Sequence, residues 1–322
     1  DWDFELLERY DAALHRALDA DSSLSNRALV ERLIVEDIQL AADVLRPVYD
    51  GSDGENGFVS LEVSPGSAHD TGATIAEARH LWRLVSRPNV MIKVPATVEG
   101  IRAVEVLTAD GINVNITLMF SLEHYEAVAQ AYLRGIDRHP NPRSVVSVAS
   151  VFVSRLDLIA DRQLEAIGSP EALALRGRIA IANAERIYGR FREIFDGEAF
   201  GALKRRGVRQ QRPLWASTGT KNPSYSDVLY VEALIGEQKN FRLEPGLGFD
   251  RVRLRRDVAL HRGTLVGDER LRVERVGLDL AFVEAEIGLE PLEVTGHAFL
   301  GDEQRQLLQV LELLDSLPRV CQ

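Results

Sequence analysis

Three features of the sequence predict an α/β fold built on a parallel sheet. From Phe58 onward, short strand-like runs alternate with longer segments of helical spacing, the order that produces strand–crossover–strand units. Several runs, Val90 to Val94 above all, are apolar on both faces, as strands covered on both sides must be. The 322 residues, 45% of them hydrophobic, suffice for a barrel of about 250 residues as one unit. The expected architecture is a single domain over residues 1–322, a (β/α)8 barrel of the TIM type with a divergent helical region from about residue 245.

The first elements are helical. Asp3 to Ala20 has helical spacing at Leu6, Leu7, Tyr10, Ala13, Leu14 and Leu18. A second helix follows Ser25, a plausible N-cap, and is expected to stop at Pro47. The turn residues of 50–57 then lead into a strand over Phe58–Val63. A helix over Ile75–Val85 precedes the strand Val90–Val94, and Gly100–Leu107 precedes Ile112–Leu118. The helix Leu122–Leu133 is followed by the strand Ser144–Phe152 and a long helical region to about Phe195, broken near Gly168-Ser169-Pro170. A fifth strand, Gln211–Ser217, opens into the loop Thr218–Pro223. The helix Asp227–Ile235 and a weaker strand, Lys239–Leu243, complete the pattern. Beyond Pro245, Arg251–Arg262 reads as a solvated charged face, and Leu307, Leu308, Leu311 and Leu314 mark a terminal amphipathic helix.

Six strands do not close a barrel of eight, and an open barrel leaves two long edges exposed. With a first residue that is not methionine, this leads to the expectation that two N-terminal strands precede Asp1 in a longer product. A doubly wound open sheet is the alternative, although no Gly-x-Gly-x-x-Gly turn follows any strand.

Bulk chemistry narrows the function. The formal charge of -11, from 38 basic and 49 acidic residues, argues against nucleic acid or an anionic membrane as the partner. One cysteine, Cys321, excludes an internal disulfide and a multi-cysteine metal site, and fits a reducing cytoplasm. No uncharged apolar run approaches the roughly 18 residues of a membrane span, and the acidic opening Asp1–Glu5 is unlike a signal peptide.

Lys93 interrupts the most apolar strand. Desolvation there favours the neutral amine, a nucleophile able to attack a carbonyl and form a Schiff base; the alternative is a lysine that snorkels to the surface. Because barrel chemistry sits at the C-terminal strand ends, the polar residues near those ends form a candidate set. Glu62 ends the first strand, Lys93 lies on the second, Asn115 and Thr117 on the third. Ser150 and Arg155 end the fourth, and Ser217 and Lys221 follow the fifth. A nucleophile, a carboxylate, neutral hydrogen-bonding groups and two cations suit a carbonyl compound that carries an anionic group. The structural alternatives are a Glu62–Lys93 ion pair, a buried polar layer at Asn115 and Thr117, an Arg155 pair with Asp157 or Asp161, and a plain turn at 217–221.

With these residues in view, Val90–Gly100 resembles the Schiff-base lysine strand of the transaldolase family. Phe58–Pro65, Ile112–Phe120, Ser147–Leu156 and Pro213–Tyr225 are similar to that family's other strand motifs in the same order, from about Tyr10 to Ile235. The likeness is greatest to the bacterial branch with a Thr-Gly-Thr-Lys loop, and Val276–Leu280 resembles part of its C-terminal region. The resemblance implies that Lys93 attacks a ketose phosphate and carries a dihydroxyacetone carbanion to an aldose phosphate. It also implies Glu62 and Thr117 around a catalytic water, and Asn115 and Ser150 on the triose hydroxyls. Arg155, Ser217 and Lys221 would hold the phosphate, with Phe152 shaping the pocket. No metal or organic cofactor is implied, and family habit suggests a homodimer.

The family also carries an aspartate on the first strand, as proton shuttle, and a Thr-Ser-Asn-Pro segment on the second. Neither stands in residues 1–322, and the stretch Phe241–Gly248 matches the family poorly. Two further readings therefore stay open: a simple aldolase that releases dihydroxyacetone, and a catalytically silent sugar-phosphate-binding protein.

Overall fold

The computed structural model describes residue 10, residues 13–235 and residues 240–241. The Arg251–Arg262 segment, the Val276–Leu280 motif, the terminal leucine-rich helix and the whole region from 245 lie outside the described residues. Six strands form one sheet in the order β1 to β6: β1 (Val59–Glu62), β2 (Val90–Pro95), β3 (Val114–Met119), β4 (Ser147–Phe152), β5 (Arg212–Ala216) and β6 (Asn240–Phe241). Every neighbouring pair is parallel. A doubly wound sheet reverses its strand order at a switch point, so the unbroken sequential order is that of a barrel wall and excludes the alternative. Among the described residues β1 and β6 are the edges of the sheet.

The two faces of the sheet differ as the period of 2 requires. Val59, Leu61, Val90, Ile92, Val94, Val114, Ile116, Ala149, Val151 and Trp215 face the helices and belong to one large core. The alternate residues face the other way. Near the N-terminal strand ends they are apolar, with Met91, Val146 and Val148 packed by Phe58 and Leu214. Toward the C-terminal ends they turn polar. Each full burial of a Val or Ile contributes about 1.5–3 kcal/mol, so the outer face fixes the strand faces and leaves the inner row to other uses.

Helices begin where side chains can accept the first orphan N–H groups. Ser25, Asp70, Thr97 and Ser121 cap the helices Asn26–Gly51, Thr71–Val85, Val98–Ala109 and Leu122–Arg138 by accepting from Ala28, Ala73, Gly100 and His124. The expected stop at Pro47 is wrong: the helix runs on to Gly51 with Pro47 inside. Proline removes a single N–H, and tertiary contacts outweigh that loss here. The Tyr49 ring meets Phe58 edge-on at 5.3 Å, and within the helix Arg46 adds a small contribution by pairing with Asp50 at 2.8 Å across the proline. At Gly100 a Cβ would lie 2.0 Å from the Pro95 carbonyl oxygen. Only glycine lets the chain after β2 turn so sharply.

Two side-chain arrangements hold the sheet and its cover in place. Asn113, just before β3, donates to the Pro88 and Val90 carbonyls at 3.3 and 3.1 Å and accepts from the Val146 N–H at 2.8 Å, so it ties β2 to the approach of β4. Behind β4, the helix Ser154–Ile167 carries two buried carboxylates one turn apart. Asp157 accepts from the Ala180 N–H at 2.7 Å and the Tyr230 hydroxyl at 2.8 Å. Asp161 accepts from the Gly177 N–H at 2.9 Å and the Tyr225 hydroxyl at 2.6 Å. Each thus ties the start of the helix Ile179–Phe195 to the segment that follows β5.

These contacts generate two predictions. Asn113→Ala leaves the buried Val146 N–H without its acceptor and should lower stability by about 1–3 kcal/mol, read from the urea midpoint. Burial raises the Asp157 carboxyl from its ordinary 3.8 to about 6, against the lowering effect of its bonds from Ala180 and Tyr230. The folded state then holds the extra proton between those two values, so this group's contribution declines as pH rises through the window and is level above it. Asp157→Asn keeps a neutral acceptor and removes the titration. Wild type should lose stability relative to that variant between pH 4 and 6, by about 3 kcal/mol at most; parallel curves at pH 4.5, 5.5 and 7 would refute this.

Candidate functional site

The polar row of the inner face is assembled by register. Glu62 stands opposite Lys93, and Lys93 opposite Asn115. Lys93 is only 7% exposed, on a strand whose six residues are all buried, so it does not snorkel into water. Its Nζ lies 3.0 Å from Glu62 Oε2. The expected alternative of an ion pair is therefore real, but it is one-sided: the Glu62 side chain is 41% exposed. A carboxylate open to solvent beside a sheltered amine is placed to exchange protons between the two.

Asn115 is held on both sides. Its Nδ2 donates to Ser60 Oγ at 3.0 Å, and its Oδ1 accepts from Ser150 Oγ at 2.7 Å. Each hydroxyl can donate or accept, so the two contacts hold the amide in place from both sides. Ser60 was not among the sequence candidates, although its place two residues before Glu62 puts it on the same face. Thr117 is fully buried, and its hydroxyl has no hydrogen-bond partner among the described residues. An unmet buried hydroxyl costs stability, so this position, opposite Pro95 and two residues beyond Asn115 on the same face, suits a ligand or water.

Beyond Thr117 the strand bulges. Ile116 pairs with Ala149 and Met119 with Val151, so Thr117 and Leu118 together oppose Ser150. Leu118 adopts φ 60° and is 42% exposed. The extra residue returns Met119 to the helix-facing core and leaves Thr117 on the inner face.

The cations lie farther out. Arg155 is exposed in the first turn of the helix after β4, with its guanidinium 5.9 Å from the centre of the Phe152 ring; that ring meets Phe120 edge-on at 5.5 Å. It makes no ion pair among the described residues, and the anticipated partners Asp157 and Asp161 are engaged elsewhere, with tyrosines and backbone N–H groups. Ser217, at φ 54°, accepts the Ser154 N–H on its carbonyl at 3.0 Å, and the two serine hydroxyls lie 3.1 Å apart. The loop that leaves β5 is thereby joined to the helix that carries Arg155. Lys221 is exposed on that loop, four residues beyond Ser217. Tyr225, at its end, has its hydroxyl pushed up to about 12 by burial and by Asp161.

A cleft near the N-terminal strand ends lies away from this row. It holds about 370 Å³ and is lined by Tyr49, Asp53, Asn141, Arg143 and Arg209, with none of the candidate residues. A half-open row of functional groups on one face of a sheet encloses little volume, so chemistry and not cavity size identifies the site. Among the described residues no three His, Cys, Asp or Glu side chains gather as metal ligands, and no helix is long and apolar enough to cross a membrane.

Comparison with known proteins adds an independent line. The family model described as Transaldolase/Fructose-6-phosphate aldolase matches residues 5–239. The chain is 47% identical to a transaldolase of Thermobifida fusca (strain YX) over 243 residues, 74% of this chain and 64% of the relative. It is 50% identical to a transaldolase of Thiobacillus denitrificans over 212 residues, 65% of this chain and 59% of that one. Transaldolase 1 of Streptomyces coelicolor matches at 43% over 298 residues, 89% of this chain and 76% of the relative. The chain thus spans less than two thirds of the length of the first two relatives. Its matched region holds the whole described sheet up to the start of β6, and the chain belongs to the transaldolase/fructose-6-phosphate aldolase family.

Proposed function

We propose that the protein is a transaldolase-type transferase that moves a dihydroxyacetone unit from a ketose phosphate to an aldose phosphate. The observation that carries this reading is the sheltered Lys93 amine, 3.0 Å from the Glu62 carboxylate and in register with Asn115. In this reaction Nζ attacks the keto carbon, the carbonyl oxygen leaves as water, and a protonated imine forms. That imine draws in the electrons of the breaking bond between carbons 3 and 4. The carbon-4 hydroxyl gives up its proton to the bound water, so that the departing fragment is an aldose phosphate and a three-carbon enamine stays on the lysine; the proton returns when the enamine adds. The enamine adds to the carbonyl of a second aldose phosphate, and hydrolysis restores the amine.

The remaining residues fall into place around those steps. Glu62 and the Thr117 hydroxyl hold the water that is released and later returned, and Glu62 passes protons to and from it. Asn115 and Ser150, whose mutual bond fixes their orientation, take the hydroxyls of the bound triose. Arg155, Ser217 and Lys221 grip the phosphate, and Phe152 lies beneath the Arg155 guanidinium as a wall. The partners are sugar phosphates, the setting a reducing cytoplasm, and the assembly a homodimer.

Borohydride treatment with fructose 6-phosphate should add to Lys93 the mass of dihydroxyacetone less one oxygen. An adduct with all six carbons would indicate binding without cleavage, and an unmodified Lys93 would sink the proposal. Release of dihydroxyacetone without an acceptor aldose would point to a simple aldolase. Arg155→Ala should raise KM for the phosphorylated ketose roughly tenfold to a hundredfold, as loss of a charged hydrogen bond does, and leave kcat little changed. A fall in kcat alone would remove Arg155 from the phosphate site.

A further inference from the structure

The loop between Ser217 and Tyr225 is pinned at both ends to one helix. At its start, the Ser217 carbonyl and hydroxyl meet Ser154. At its end, the Tyr225 hydroxyl donates to Asp161, seven residues farther along the helix Ser154–Ile167. Between the two pins stands Lys221, and beside the first pin stands Arg155. Both cations are thus referred to the same rigid element.

The second pin is shaped on three sides. Asp161 is buried and spends its other oxygen on the Gly177 N–H at 2.9 Å. Gly177 has φ 69°, and a Cβ there would lie 3.1 Å from the Tyr225 ring. The glycine therefore supplies both the hydrogen bond that orients the carboxylate and the space into which the ring fits. One turn earlier, Asp157 repeats the arrangement with Ala180 and Tyr230. A loop that needed only to close could end on any turn residue, whereas this one ends on a tyrosine seated in a cut-out surface.

We propose that Tyr225, latched to Asp161 over Gly177, is a positioning residue that holds the 218–224 loop so that Lys221 and Arg155 bind one phosphate together. The inference rests on the phosphate role given above to Arg155, Ser217 and Lys221. The latch touches no substrate atom. Its loss should therefore weaken the grip on phosphate and leave the lysine chemistry at the strand ends as it was.

Tyr225→Phe keeps the ring over Gly177 and deletes only the latch. Inorganic phosphate binding by calorimetry, and borohydride trapping of Lys93 with dihydroxyacetone, which has no phosphate, are measured on wild type and variant. The expected result is a phosphate Kd raised about tenfold, as loss of a hydrogen bond of about 1.4 kcal/mol gives, with the trapping rate unchanged. Equal phosphate affinity in the two proteins would overturn the latch while leaving the proposed reaction intact. A parallel fall in both readouts would overturn it too, since that marks a general structural effect. Absence of phosphate binding by wild type would refute the phosphate site and the latch with it, and trapping would still report separately on Lys93.

Discussion

Everything at the site depends on strand register. Glu62, Lys93 and Asn115 form one row across β1, β2 and β3 only because each strand is in the register that sends its valines and isoleucines to the helices. A slip of one residue in β2 would turn Val90, Ile92 and Val94 inward and drive an ammonium into the apolar layer under the helices. With about 1.5–3 kcal/mol for each apolar side chain, the outer face holds that row more firmly than any contact within it. Stability and chemistry are thus assigned to opposite sides of the same backbone.

The inner face then shows a division of its own. Asn115, Ser60 and Ser150 satisfy one another, and so lose rotamer freedom before any ligand arrives. Such preorganised groups cost little to align on a bound hydroxyl. Thr117 is buried with its hydroxyl unmet among the described residues. The same few residues therefore include a fixed part, which sets geometry, and an unmet part, which a ligand or water completes. Lys93 stands opposite Asn115, and the Glu62 carboxylate 3.0 Å from its amine faces solvent.

How much of this could be read from sequence follows from which forces are local. All six strands were legible because runs such as Val90–Val94 carry their burial in their composition, and the candidate residues at strand ends follow once the face is known. At Pro47 a local rule is overridden: the Tyr49 ring beyond it packs on Phe58, a contact that spacing does not announce. Asp157 and Asp161, close to Arg155 in sequence, were only the alternative to its phosphate role. They point the other way, to groups between 16 and 73 residues distant in the chain. Ser60 was readable from its period; the role of Gly177 was not, since a glycine's missing Cβ matters only once the Tyr225 ring is known to lie there.

The bulge in β3 shows where the two demands on the sheet collide. Four non-glycine residues among those described have positive φ, and two stand at ordinary places: Asp53 in a turn and Ser86 at a helix end. Leu118 and Ser217 instead stand where β3 and β5 reach the site. For leucine the left-handed region costs roughly 1–2 kcal/mol, and a side chain 42% exposed recovers little of it by burial. A regular β3 would avoid that cost, but then Met119 would face inward along with Asn115 and Thr117, and its place in the helix-facing core would be lost. With one extra residue the strand keeps Met119 in the core and Thr117 on the inner face, and the strain falls on Leu118. The irregularity is therefore the point at which the packed wall gives way to the candidate site.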